Sequence, residues 1–256
     1  MEEIPNYFVH LSYAGTEYNG WQHQPNGCGV QRVLEDKLAV ILQRPVAITG
    51  CGRTDTGVHA SCFYAHFAFV GDLPTNLLTR WNSLLPPDIA VRQLYCVPPA
   101  AHARFDAIKR GYSYYINPEK SPFRHRLEWY YPPIGSCDFE LMQQAAQLLL
   151  NYHNFSTFCK SHHDAKTPFC NVQASTWRQE RGIYIYQIEA DRFLRGMVRM
   201  IVGMCIQIGQ GKIQLDQVTQ AMESNTMLQR AWSVPPDGLY LDEVIYPPYY
   251  LETALF

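Results

Sequence analysis

Three absences narrow the sequence before any motif is read. No Cys-x-x-Cys pair occurs among the eight cysteines, at 28, 51, 62, 96, 137, 159, 170 and 205. Dispersed thiols in a chain with no secretory leader read as reduced and mostly buried, so neither a disulfide frame nor a paired-cysteine zinc site is expected. The second absence is a long apolar run. The opening Met1-Glu2-Glu3-Ile4-Pro5 is acidic, unlike a signal peptide, and predicts a cytoplasmic protein. The stretch around residues 200–208 is interrupted by Gly203 and Gln207, far short of the roughly 20 residues that cross a bilayer, so no membrane association is expected. The third is an excess of positive charge. Lys and Arg total 21 against 23 Asp and Glu, a net charge of −2 and a pI near 6.5. Polyanions bind where cations neutralise phosphates, so a nucleic-acid partner requires these cations to be gathered locally.

What is present is ample core material: 256 residues, 47% of them hydrophobic, with 17 Tyr and 12 Phe. That composition suits a sheet-rich globular protein. Residues 7–13 alternate, as do 61–69, where Phe63, Ala65, Phe67 and Phe69 share a face; 91–97, 112–116, 183–189 and 239–246 are further strand candidates. Val30, Leu34, Leu38 and Ile41 recur at helical spacing, and helices are also expected at 139–150, 193–208 and 215–224. The order of elements gives an α+β chain of two α/β halves, residues 1–105 and 106–256. No internal sequence repeat is found.

Four segments could carry chemistry. Gly50-Cys51-Gly52-Arg53-Thr54-Asp55-Thr56-Gly57-Val58-His59-Ala60 combines three glycines with Arg53 and Asp55 one residue apart. A carboxylate kept ionised by a neighbouring cation on a constrained loop suits a covalent nucleophile; a surface turn with a local ion pair is the plain alternative. The fragment Asp55-Thr56-Gly57 also invites comparison with aspartic proteases. Their chemistry needs two carboxylates sharing a proton, and no second Asp-Thr-Gly or Asp-Ser-Gly exists in the chain. In the segment from Ala103 to Tyr115, Tyr112 and Tyr114 lie two apart behind Lys109 and Arg110, which fits either a base-stacking platform or a tyrosine-rich core strand. Arg192, Arg195 and Arg199 would form a basic ridge on the helix expected at 193–208, either solvated or facing a distant anion. Cys159, His162, His163 and Cys170, with His153 upstream, lack paired metal-ligand spacing, and no metal site is expected.

Taken together the segments resemble the TruA family of tRNA pseudouridine synthases. Residues 52–60 match its Gly-Arg-Thr-Asp-Ala-Gly-Val-His-Ala signature except at Thr56. Ala101-His102-Ala103-Arg104-Phe105 with Tyr112-Ser113-Tyr114 looks like its Phe-His-Ala-Arg-Phe and x-Tyr-x-Tyr strand, and residues 193–203 look like its Phe-x-x-x-Met-Val-Arg-x-(Ile/Val)-Val-Gly helix. Gly20-Trp21-Gln22, Val30-Gln31, Asp88-Ile89 and Gly238-Leu239-Tyr240-Leu241 extend the likeness along the chain in the family's order.

The resemblance implies the pseudouridine synthase fold, two α/β halves with antiparallel sheets meeting at a central catalytic cleft. It implies a homodimer that uses neither cofactor nor metal and modifies uridines 38, 39 and 40 of the tRNA anticodon stem-loop. It makes Asp55 the catalytic nucleophile and Arg53, Tyr112 and Arg199 substrate-binding residues: Arg53 extrudes the uridine, Tyr112 stacks on the flipped base, and Arg199 keeps Asp55 ionised. Attack at the sugar C1′ and attack at uracil C6 both remain open. The alternatives are a non-catalytic RNA-binding factor, a synthase acting on a different RNA site, and a glycosidase-like hydrolase, which would place two carboxylates about the bond. The chain departs from the family at Ala14 and Asn154, where Asp is usual, and at residues 61–63, where the common Gln is missing.

Overall fold

A computed structural model describes residues 4–24, 27–159 and 167–255. In chain order the elements begin with β1 (Asn6–Tyr13), α1 (Val30–Leu42), β2 (Thr49–Gly50), β3 (His59–Ala68), α2 (Leu77–Leu84) and β4 (Ile89–Val97). There follow β5 (Lys109–Asn117), β6 (Trp129–Tyr130), α3 (Phe139–Leu148), β7 (Val172–Glu180) and β8 (Ile183–Ala190). The last are α4 (Met197–Gly209), α5 (Leu215–Glu223) and β9 (Leu239–Ile245). This is a mixed α+β chain whose strands pair mostly antiparallel, as expected. It divides into two compact units, Met1–Lys109 with Leu241–Phe256, and Arg110–Tyr240.

In the first unit the strand order is β4, β1, β3, β9, with β2 added to β3. Phe8 pairs with His66 and Val9 with Ala65 across β1 and β3. Both faces of β1 are covered, which is why its buried residues run almost without a break. On one face the aromatics interlock: Tyr7 meets Phe67 at 5.5 Å, and Phe67 meets Trp81 of α2 edge-on at 6.3 Å. On the other, Phe8 meets Tyr246 at 5.1 Å and Tyr250 at 5.7 Å. Period-two alternation along β1 and β3 divides these residues between the faces. Helix α1 buries Val30, Leu34, Leu38 and Ile41, the stripe its spacing predicts, and each such side chain contributes roughly 1.5–3 kcal/mol.

In the second unit β8 lies between β5 and β7, and β6 runs parallel to the end of β5. Strands β7 and β8 form a hairpin closed by Arg181 and Gly182, both at positive φ, the two-residue turn whose twist matches the strands. Asp138 caps α3, accepting the Leu141 N–H at 3.0 Å. Helix α4 is buried on nearly every side, as a helix apolar all round must be.

Here the structure corrects one expectation. The helix expected from residue 193 begins at Met197, because Gly196 sits at φ 73°, a left-handed conformation that breaks the helical path just before it. Arg192 and Arg195 therefore lie outside α4, and the three arginines form no helical ridge. Helix α2 and strand β7 were not expected. The first buries only Leu77 and Trp81 over eight residues. In the second, a bulge between Val172 and Ala174 breaks the alternation that would have marked it.

Candidate active site

Residues 50–59 leave β2 and enter β3 as a loop gripped mainly by main-chain atoms. The Cys51 N–H donates to the Tyr64 carbonyl at 2.7 Å, and Trp21 N–H to the Thr54 carbonyl at 3.3 Å. Gly57 N–H donates to the Tyr18 carbonyl at 3.2 Å. Val58 N–H returns to the Asp55 carbonyl at 3.1 Å, closing a turn with Gly57 at φ 79° in its third position, where such turns call for glycine. The buried Thr54 hydroxyl lies 2.9 Å from the Tyr13 hydroxyl. His59 is fully buried, and its Nδ1 accepts the Gly15 N–H at 3.0 Å, which fixes that nitrogen as the unprotonated one.

A second tier holds the segment that does the gripping. Tyr18 donates its hydroxyl to Asp88 Oδ1 at 2.6 Å, while the Asp88 carbonyl accepts the Ala14 N–H at 2.9 Å. Burial, followed by that carboxylate, pushes the Tyr18 hydroxyl well above its ordinary range. Gly20, at φ 81°, brings its backbone so near the loop that a Cβ there would stand 2.3 Å from the Thr54 oxygen. Thr54 is thus drawn inward, while Asp55 is half-buried and Arg53 exposed. Alternation of inward and outward residues along a pinned loop presents a carboxylate and a guanidinium from a fixed backbone.

Arg53 borders a cavity of about 190 Å³ lined also by Trp21, Gln31, Thr49, Gly52 and Arg104. Of these, Trp21 stacks on Phe63 at 4.1 Å.

The other two predicted site residues stand in the second unit. Tyr112 on β5 pairs with Ile188, is partly exposed, and meets Phe193 edge-on at 5.0 Å. Tyr114, two residues on, is fully buried and donates to the Pro235 carbonyl at 2.7 Å, so it belongs to the core. The core-strand reading thus holds for Tyr114, while Tyr112 keeps a partly exposed ring. Arg199 lies in the first turn of α4, half-buried, its Nε donating to the Val234 carbonyl at 2.6 Å. Val234 N–H returns to the Arg199 carbonyl at 3.3 Å. Arg53 and Asp55 therefore share one loop, and Tyr112 and Arg199 are each fixed by neighbours of their own unit.

Among the described residues no group of three or more His, Cys, Asp or Glu could hold a metal ion, and no helix is long and apolar enough to cross a membrane. Of the cysteine–histidine segment considered in the sequence, His162 and His163 lie outside the described residues.

Comparison with known proteins adds the decisive observation. The tRNA pseudouridine synthase family profile matches residues 145–247. The chain is 45% identical over 244 residues to the tRNA pseudouridine synthase A of Parabacteroides distasonis, covering 94% of this chain and 96% of that protein. It is 42% identical to the enzyme of that name from Bacteroides thetaiotaomicron, covering 95% of this chain and 91% of the relative. For the Porphyromonas gingivalis enzyme the identity is 41%, covering 95% and 98%. The chain belongs to the tRNA pseudouridine synthase family.

Pseudouridine synthases are isomerases, and the resemblance read from the motifs is confirmed at the level of the family. The profile match includes α4 and Arg199 but begins beyond the Asp55 loop; likeness to whole tRNA pseudouridine synthases extends over nearly the full chain. Sequence reasoning missed the loop's supports. Tyr13 and Thr54 are 41 residues apart, and Tyr18 and Asp88 are 70 apart, so no local spacing could have paired them.

Proposed function

We propose that this protein converts uridines 38, 39 and 40 of the tRNA anticodon stem-loop to pseudouridine, with Asp55 as the nucleophile. The observation that carries this reading is the loop: its backbone is tied down on both sides of Asp55, while Asp55 itself stays partly exposed. Such preorganisation makes the geometry of attack inexpensive, because the loop has little left to order when RNA arrives.

The reaction is an isomerisation. The N1–C1′ bond breaks, the uracil turns, C5 bonds to C1′, and the C5 proton leaves while N1 gains one. Atoms and electrons balance with no oxidant, reductant or carrier. Asp55 attacks either C1′ or C6 and holds that fragment covalently while the base turns; that bond breaks again, returning the carboxylate, as C1′ is joined to C5 or, from C6, once it has been. A stacked base must first be extruded, at a cost of a few kcal/mol. Arg53, exposed beside the nucleophile, takes the place the base vacates, and the half-open Tyr112 ring receives the flipped uracil. By the family resemblance Arg199 is a further substrate-binding residue. For Tyr112 and Arg199 the support is the family resemblance together with their fixed local settings. By the same resemblance the enzyme works as a homodimer, in the cytoplasm, without cofactor or metal.

The test uses tRNA transcribed with tritium at uracil C5. Release of tritium to water by wild type, and none by Asp55→Ala, is the expected result, and mapping pseudouridine at 38, 39 and 40 completes it. Release of free uracil would identify a hydrolase. Binding without tritium release by wild type would overturn the enzymatic reading for this RNA.

A further inference from the structure

The turn at residues 101–106 has no part in the chemistry above, yet it is tied down more heavily than a passive connection requires. Asp106 Oδ2 accepts the His102 N–H at 2.7 Å and the Tyr250 hydroxyl at 2.9 Å, and Asp106 N–H returns to the His102 carbonyl at 3.0 Å. His102 Nδ1 accepts from Arg104 N–H at 3.1 Å and, more weakly, from Phe105 N–H at 3.4 Å. His66 Nδ1 accepts from Ala103 N–H at 3.1 Å, and the Tyr246 hydroxyl donates to the Ala103 carbonyl at 2.6 Å. At the tip of this scaffold Phe105 is 74% exposed. Its ring packs on His102 at 4.3 Å, and the Arg104 guanidinium lies 5.7 Å from its centroid. Arg104 also lines the cavity that Arg53 borders.

A large aromatic ring held in water at the tip of a hydrogen-bonded turn is available as a contact surface. The neighbouring charge says of what kind. Two guanidiniums at one cavity favour a polyanion, and an aromatic face beside an arginine suits a base next to its phosphate. We propose that Phe105 and Arg104 form a tRNA contact beside the uridine site, Phe105 stacking on an unstacked base and Arg104 meeting a phosphate at the cavity. The proposal rests on tRNA being the substrate, as argued above.

The experiment measures Phe105→Ala and Arg104→Gln, with melting temperatures as a check on folding, by tRNA affinity from 50 to 200 mM salt and by tritium release at limiting and saturating tRNA. Loss of stacking is expected to weaken binding about 5- to 150-fold for Phe105→Ala, with release at saturating tRNA retained. Arg104→Gln is expected to lower the slope of log affinity against log salt by about 0.7–0.9, the effect of one phosphate contact. Wild-type affinity and salt slope in both variants, with tritium release intact, would overturn this proposal and leave the uridine chemistry standing. Absence of release by wild type would instead count against the function itself. A change of oligomeric state in Phe105→Ala, measured by light scattering, would make the ring a contact between copies of the chain and would also overturn the proposal.

Discussion

Gly20→Ala is the sharpest probe of how the loop carrying the proposed nucleophile is positioned. Two separable penalties arise at this residue. A non-glycine residue in the left-handed region costs about 1–2 kcal/mol. The added Cβ would also stand 2.3 Å from the Thr54 oxygen, where real Cβ atoms essentially never come within 3.0 Å, so the backbone must give way by about 0.7 Å. Such crowding of a packed site adds roughly 1–3 kcal/mol. Because the obstructing atom is the carbonyl just before Asp55, the displacement falls on the proposed nucleophile itself. A misplacement near 1 Å costs on the order of 10²-fold in rate.

The expected result is a destabilisation of about 2–5 kcal/mol in urea unfolding and a fall in kcat of roughly 10- to 100-fold in the tritium assay. The protein should remain folded at 25 °C, since domains of this size commonly have about 5–15 kcal/mol in hand. Gly182→Ala serves as the control: its φ is 82°, nearly the same, but no atom lies within 4 Å of the new Cβ. It should show the backbone penalty alone, about 1–2 kcal/mol, with kcat unchanged. If Gly20→Ala matched Gly182→Ala in stability and kept the wild-type kcat, the close approach would not set the position of Asp55, and the reasoning would fail.

Two further substitutions test the supports around the site. Tyr18→Phe removes the 2.6 Å bond to Asp88 and is expected to cost about 1.5–3 kcal/mol with a lower kcat; an unchanged urea midpoint would show the bond to be dispensable. His66 is held down to about 4, chiefly by burial and then by His102, against the opposing pull of Asp106. The folded protein therefore binds fewer protons there than the unfolded chain between about pH 6.5 and 4, so this contribution is present above pH 6.5 and lost as pH falls toward 4. The urea midpoint of wild type should decline across that window, and His66→Asn should decline less.

Much of the architecture was legible because the chain is locally consistent. The stripe Val30, Leu34, Leu38, Ile41 and the alternation of Phe63, Ala65 and Phe67 put the period and the facing residues in plain view. The illegible parts have physical causes. Residues 193–196 carry apolar residues at helical spacing, but the left-handed Gly196 keeps them out of α4, and a backbone conformation of that kind is open to glycine without being required by it. Strand β7 hides behind its bulge. At the site, the signature drew attention to Arg53 and Asp55, whereas the supports on Tyr13, Tyr18, Gly20 and Asp88 depend on long-range closure that spacing does not encode.

The same geometry explains why departures from the family pattern need not disturb the loop. Ala14 contributes its N–H to the Asp88 carbonyl, a contact any residue but proline can make. Thr56 is exposed, in the second position of the turn at 55–58, where most residues are accepted. Asn154 accepts the Ser156 N–H on its side-chain oxygen at 3.0 Å, a local turn that Asn and Asp build equally well. The last case gives a direct comparison. Asn154→Asp should leave stability within about 0.5 kcal/mol of wild type, since the acceptor survives, whereas Asn154→Ala should lose about 1 kcal/mol. Neither should change kcat. Equal losses in the two variants would mean that the amide nitrogen, and not the shared oxygen, is what this position contributes, and the departure would then need a different physical reason.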